Sequence, residues 1–184
     1  TLDMLNRMAS DNRASVISIS WGSDESDSSS RFLQMEGQIF QQMAAQGQTV
    51  LVASGDSGAY DVAPPTSTSV LTVIDPASQP YVTAAGGTTL TTSASGGYGS
   101  ETTWNHGNGA SGGGVSGFWP IPDWQKGVAT AFSSTARNVP DVALDADPST
   151  GYSIDEVELA IARTSMMLRL AIIIITAQGL AMTM

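Results

Sequence analysis

An α/β fold, built on a mainly parallel sheet flanked by helices and carrying long Gly/Ser-rich loops, is predicted by three observations. Ser15-Val-Ile-Ser-Ile-Ser20 is a β-branched run. Phe32, Met35, Ile39, Phe40 and Met43 then recur at helical spacing, and a second β-branched run follows at Gln48-Thr-Val-Leu-Val-Ala53. Strand, helix and strand in this order, with a helix of that length, fit a parallel crossover unit.

The elements read as follows along the chain. Leu2, Leu5, Met8 and Ala9 have helical spacing and predict an opening helix to about Asp11-Asn12, not a secretory leader. Ser23 to Ser30 reads as an acidic, serine-rich loop after the first strand. Gly47 stops the second helix, and Thr49 to Ala53 forms the next strand. A long loop through Pro64-Pro65 precedes Tyr81-Val-Thr-Ala84, a short strand closed by Gly86-Gly87. From there to Pro122 the Gly, Ser and Thr content predicts surface loops, and Tyr98, Trp104, Phe118, Trp119 and Trp124 predict that they are ordered. Leu168 to Ala177 is the most apolar segment; it is too short to span a bilayer and reads as a buried strand.

The 184 residues predict one domain, and 41% apolar content is enough for a single core. Seventeen acidic against seven basic residues leave a net charge of -10, which argues against a nucleic-acid partner. Only 13% of residues are charged, so the surface relies on neutral polar groups and loses few ion pairs when carboxylates protonate in acid. There is no cysteine and a single histidine, which excludes a disulfide framework, a thiolate metal site and a histidine cluster. Calcium held by loop carboxylates stays open.

Ser54-Gly55-Asp56 directly follows the second strand, at the rim where ligands collect in open α/β sheets. An acidic side chain between residues small enough for close backbone approach either caps a turn or faces a reaction. His106, in Asn105-His-Gly-Asn-Gly109, is a candidate base for a Ser/His/Asp hydrolase, but no Gly-x-Ser-x-Gly elbow is present to supply its nucleophile. A solvated loop histidine is the competing reading.

Nine segments occur in a distinctive order: Ser18-Ile-Ser-Trp-Gly22, Ala53-Ser-Gly-Asp-Ser-Gly58, Pro76-Ala-Ser-Gln-Pro-Tyr-Val82, Gly86-Gly-Thr-Thr89, Glu101-Thr-Thr-Trp-Asn105, Gly112-Gly-Gly-Val-Ser116, Pro120-Ile-Pro-Asp-Trp-Gln125, Val139-Pro-Asp-Val142 and Asp147-Pro-Ser-Thr-Gly-Tyr152. Over residues 1 to 154 the chain resembles the sedolisin family, serine-carboxyl peptidases of subtilisin-like fold. The resemblance implies an acid-acting endopeptidase that cleaves polypeptide through a serine acyl-enzyme, with glutamate and aspartate in place of histidine. It implies that Asp56 is the oxyanion donor, which a carboxyl group can be only while protonated. Substrate would lie extended along Ser20, Trp21 and Gly22, beside Ser54 and Gly55, and along Gly112, Gly113 and Gly114. Half-burial of Trp21 as strand-end packing is the alternative for that residue. A calcium site, with no recognisable ligands here, and secretion are implied by kinship alone. Polypeptide is the expected partner of a monomer, with neither nucleic acid nor membrane.

The segment after Ile154 departs from the family pattern, and two alignments compete. In one, Arg163-Thr-Ser165 stands for the family's Gly-Thr-Ser and Ser165 is the nucleophile, with arginine replacing a close-packing glycine. In the other, Glu156-Val-Glu-Leu-Ala-Ile-Ala162 stands for the helix that carries Glu-x-x-x-Asp. Glu156 is then the general base, and its partner four residues on, on the same helix face, is Ala160. The second alignment matches helix followed by strand, but in the family that unit precedes the segment beginning at Thr1. Residues 155-184 would then belong before residue 1, through circular permutation or a non-native junction at 154-155, and the single domain of residues 1-184 would be incomplete. Ala160 and Ala162 would stand where carboxylates are expected. The missing Gly-Thr-Ser and Ala160 support an alternative function, a catalytically inactive peptide-binding fragment or pseudoenzyme of the same fold.

Overall fold

The computed structural model describes residues 1-60, 70-106, 109-128 and 132-151. In chain order its elements are α1 (Leu2–Asp11), β1 (Val16–Ile19), β2 (Ser23–Asp24), α2 (Ser30–Ala45), β3 (Thr49–Ala53), β4 (Ile74–Asp75), β5 (Thr83–Thr92), β6 (Tyr98–Thr103), β7 (Asn105–His106), β8 (Gly109–Ala110), β9 (Gly114–Pro120), β10 (Ala136–Val139) and β11 (Val142–Asp145). The Pro64-Pro65 loop, Tyr152 and all of 155-184 lie outside the described residues, and with them Glu156, Ala160, Ala162 and Ser165.

Parallel strands β1, β3, β5 and β11 form the main sheet in that spatial order, and β6 pairs antiparallel with the far half of β5. Helix α2 begins and ends for local reasons. Ser29 caps α2 by accepting from the Phe32 amide at 3.2 Å. Gly47, at φ 81, takes the left-handed turn that returns the chain to β3.

Alternation along the strands decides which residues meet the helices. Ile17 and Ile19 of β1, Val50 and Val52 of β3, and Ala84 of β5 pack with Leu5 and Ala9 of α1 and Ile39, Phe40 and Met43 of α2 in one apolar cluster. On the opposite face Ala53 and Ala85 pack with Ala146. Burial on both faces explains why β3 reads as a continuous apolar run.

Three expectations are corrected. Gly86 and Gly87 do not close a strand; they lie inside the ten-residue β5. A Cβ on Gly86 would stand 2.7 Å from Pro140, and one on Gly87 2.9 Å from Ala146, so neighbours across the sheet require glycine there. The Gly/Ser/Thr stretch to Pro122 is largely strand, β6 to β9, not loop. The acidic segment after β1 pairs with β4 and makes a single helical turn at Glu25–Asp27. Glu25 there is buried and accepts from Ser116 Oγ at 2.6 Å and the Gly117 amide at 2.8 Å.

The second end of the sheet is locked by one ion pair. Arg137, fully buried, reaches Asp141 through Nη1 at 2.5 Å and Nη2 at 2.6 Å, and its guanidinium carbon lies 4.7 Å from the Trp124 ring centre. Asp141 also accepts from the Ala84 amide at 2.8 Å and from Gln125 at 2.9 Å, so the charge that balances Arg137 ties the start of β11 to β5. Removing the cation strands a half-dry carboxylate. Arg137→Ala is expected to lower unfolding free energy by about 3–5 kcal/mol in urea titrations. A loss below about 1 kcal/mol, as for an exposed pair, would contradict this account.

Candidate functional site

The chain leaves β3 at Ala53 and enters Ser54, which is buried and whose amide donates to the Ala85 carbonyl at 2.9 Å. Gly55 follows at φ 117, a conformation that side chains resist, and turns the backbone across the sheet rim. The turned segment is stitched to a distant part of the chain. Ser54 Oγ donates to the Gly112 carbonyl at 2.7 Å, the Gly112 amide to Gly55 at 2.8 Å and the Ala110 amide to Asp56 at 2.8 Å. Ser57 bridges to Ala110 beyond them. This approach requires glycine, since a Cβ on Gly112 would stand 2.0 Å from the Ser54 carbonyl oxygen.

Asp56 therefore sits at the rim with its main chain held on both sides. Its side chain is half-buried and accepts no hydrogen bond from any described residue, and burial pushes its carboxyl above the ordinary range. A desolvated carboxyl keeps its proton to higher pH than an exposed one, and while protonated it can itself donate, as an oxyanion site needs.

Two backbone edges flank this position. Ile19 pairs with Val52, so Ser20 leaves the sheet at the same rim as Ser54. Ser20 Oγ is buried without a partner, Trp21 is half-exposed, and a Cβ on Gly22 would stand 2.1 Å from Ile74 Cγ2 and 2.6 Å from the Asp75 carbonyl oxygen. On the other side Gly112, Gly113 and Gly114 lead into β9, with Gly113 packed against Val139 and Pro140 and Gly114 against Val73. Gly112 to Gly114 also line an open cavity of about 710 Å³ whose apolar walls include Trp124, Phe132 and Pro140. A smaller cavity of about 290 Å³ lies beside Val73, Val115 and Phe118. The structure thus brings Ser54, Gly55, Asp56 and Gly112 into direct contact, and sets Ser20 at the same rim.

His106 keeps half of its side chain in solvent, as one sequence reading expects, but it is also tied to a buried acid. It lies half-exposed in the β7–β8 hairpin, and its Nε2 meets Oδ2 of the buried Asp147. Burial of Asp147 would raise its carboxyl, but hydrogen bonds from Ser149 and Thr89 and the charge of His106 hold it below the usual range. The hairpin that carries His106 also carries Ala110, so this contact supports the strand that holds Asp56. Nothing in the sequence pointed to this use. Glu25 and Asp147 were both missed because their partners lie far along the chain.

Among the described residues no group of three or more His, Asp or Glu is placed to hold a metal ion. No described helix is long and apolar enough to cross a membrane.

A family model described as the subtilase family matches residues 1–168. Kumamolisin of Bacillus sp. (strain MN-32) is 42% identical over 149 residues, covering 77% of this chain and 26% of that protein. Sedolisin of Pseudomonas sp. (strain 101) is 44% identical over 160 residues, covering 81% and 27%. Among solved structures, Pseudomonas sedolisin, a serine-carboxyl proteinase complexed with two molecules of pseudo-iodotyrostatin, superposes with a TM-score of 0.73 at 41% identity, covering 82% of this chain and 43% of that one. The chain spans about a quarter of the length of the curated relatives it matches.

The stitched rim makes one substitution diagnostic. Gly112→Ala is expected to cost about 1–3 kcal/mol in thermal or urea unfolding, because either Ser54 or the glycine run must move. Gly96→Ala, where an added Cβ meets nothing but the left-handed φ of 80 is strained, provides a comparison without overpacking. Slowed amide exchange at Gly112 and Ala110 should be lost in Gly112→Ala and kept in Gly96→Ala; equal retention in both would refute the stitching.

Proposed function

Because the chain belongs to the sedolisin family of serine-carboxyl peptidases, with their subtilisin-like fold, we propose that the protein it forms part of is an endopeptidase that cleaves polypeptide in acid through a serine acyl-enzyme. The observation that carries the reading is Asp56, a half-buried carboxyl at a strand-end rim, raised by desolvation and with no donor among the described residues.

In this proposal an extended polypeptide pairs its main chain with the Ser20-Trp21-Gly22 edge on one side and Gly112-Gly113-Gly114 on the other, crossing the Ser54-Gly55 turn. The scissile carbonyl oxygen points at Asp56. Serine Oγ bonds to the carbonyl carbon as its proton passes to a glutamate, and the electron pair released onto the carbonyl oxygen is met by the Asp56 O–H. Collapse of the intermediate expels the amine, which takes the proton back from the glutamate, and water then releases the acyl group by the same route. The competing alignments name either Ser165 as the serine or Glu156 as the glutamate, each without the other. Secretion, a monomeric state and a calcium site elsewhere in the longer protein belong to the same proposal, on kinship alone. No step is routed through the ion.

Ala160 favours a second reading, a module that binds peptide without cleaving it, since alanine cannot hold a catalytic glutamate. The two separate on one variant. If the enzyme is active, Asp56→Ala should lower kcat by about 10²–10³ on a denatured-protein or peptide substrate in acid, with KM little changed. Activity of the unsubstituted protein should fall as pH rises through the raised pKa of Asp56, because the deprotonated form cannot donate. An undiminished kcat in Asp56→Ala would remove the oxyanion role. Peptide binding without cleavage by the unsubstituted protein would select the second reading.

A further inference from the structure

Behind the Ser20–Gly22 edge lie two carboxyl groups that no step above uses. Glu36 projects from α2 and is fully buried; Asp75 in β4 is 4% exposed. Gln79, also fully buried, directs its Nε2 at Asp75 Oδ1 at 2.8 Å, Glu36 Oε2 at 3.2 Å and the Leu33 carbonyl at 3.3 Å. An amide with two hydrogens serves three acceptors there, while Glu36 Oε1 and Gln79 Oε1 have no hydrogen-bond partner among the described residues.

No described cation pairs with either group. Arg137 reaches toward this site only as far as the carbonyls of Gln79 and Ala77, and its charge is balanced by Asp141. The other charged groups that act here are Glu25, which repels Asp75, and the amino group at Thr1, which a longer chain would replace by a neutral peptide. Two ionised carboxylates in a dry site with one neutral amide would be strongly destabilised. A single proton held between Glu36 and Asp75 supplies the donor the pair lacks and removes one charge. Burial pushes the Glu36 carboxyl up to about 9, with the hydrogen bond and charge of Asp75 adding to it, and burial raises Asp75 as well.

The main chain of Asp75 borders the proposed substrate edge. Asp75 pairs with Ser23 and Ile74 with Asp24, and the Asp75 carbonyl oxygen occupies the space a side chain on Gly22 would need. A shift of β4 therefore has no side chain at Gly22 to absorb it.

We propose that Glu36 and Asp75 share one proton within the core, and that this proton positions the Ser20–Gly22 edge so that its release weakens the hold on extended polypeptide. The positioning half rests on the substrate-edge reading given under Proposed function; the shared proton does not. The sign follows from linkage. Glu36 binds its proton more tightly folded than unfolded, so the contribution is fully present below its ordinary value of 4.5 and is lost as pH rises toward 9.

The test compares the full protein with Glu36→Gln and Asp75→Asn, each of which removes the need for a proton. Unfolding followed against pH should show the folding constant of the unsubstituted protein falling by up to about tenfold per pH unit from this proton, between about pH 5 and 8, with that slope reduced in both variants. Peptide KM should rise with pH in the unsubstituted protein and rise less in Glu36→Gln, while kcat follows the same pH course in both. Parallel stability slopes in all three proteins would overturn the shared proton, and parallel KM courses would overturn the positioning role. Should a variant fail to fold, infrared spectra of Asp56→Ala at neutral pH, in which the other raised carboxyl is gone, decide the point: a protonated-carboxyl band supports the proton and its absence overturns it. If Asp56→Ala leaves cleavage undiminished while Glu36→Gln flattens the stability slope, the catalytic reading fails and the shared proton stands.

Discussion

At Gly112 two stretches of backbone, 58 residues apart along the chain, approach so closely that a single methyl group would stand 2.0 Å from the Ser54 carbonyl oxygen. The site depends on that approach. It lets the rim of the parallel sheet continue as a second layer of pairing, from Ser54 to Ser57 against Ala110 to Gly112. Asp56 thereby acquires a main chain fixed from both sides while its carboxyl has no partner among the described residues. A rigid backbone around an unsatisfied acid is the combination that electrostatic preorganisation requires, because the donor need not reorganise when charge appears. The β7–β8 hairpin behind it is anchored in turn by His106 on Asp147, so support for Asp56 extends one layer further from the rim.

Buried charge is handled in three ways within this small sheet. Asp141 meets a cation, Arg137, in a two-pronged pair that joins β11 to β5. Glu25 meets a hydroxyl and an amide, which joins the segment after β2 to β9. Glu36 and Asp75 meet each other, with one amide between them. Only the last arrangement is stabilised by protonation. It sits in a chain whose surface has few ions to lose in acid and whose candidate oxyanion donor also needs its proton. Fold and chemistry are then biased toward the same pH range for independent physical reasons.

Legibility in the sequence followed the range of the forces involved. Helices α1 and α2 and strands β1 and β3 are set by local periodicity and by stop signals such as Gly47, and they fall where those signals place them. β6 was read as loop because all six of its residues are exposed and no apolar alternation marks it; its strand character comes from pairing with β5. Gly86 and Gly87 have the same cause in reverse. As local signals they end a strand, whereas in the sheet they admit Pro140 and Ala146.

By itself the sequence determined the α/β class, the position of Ser54-Gly55-Asp56 at a strand end, and, through motifs in order, the family. Those properties depend on residues near one another or on patterns that survive without coordinates. The tertiary structure alone decided that Asp56 has no donor among the described residues, that Gly112 must be glycine, that His106 meets Asp147 and that Glu36 faces Asp75. Each is a matter of desolvation and contact between residues 39 to 58 positions apart, or of the absence of any such contact. A carboxyl group carries no mark in the sequence of whether its neighbours in space will be water, a cation or another acid. Folding alone assigns them.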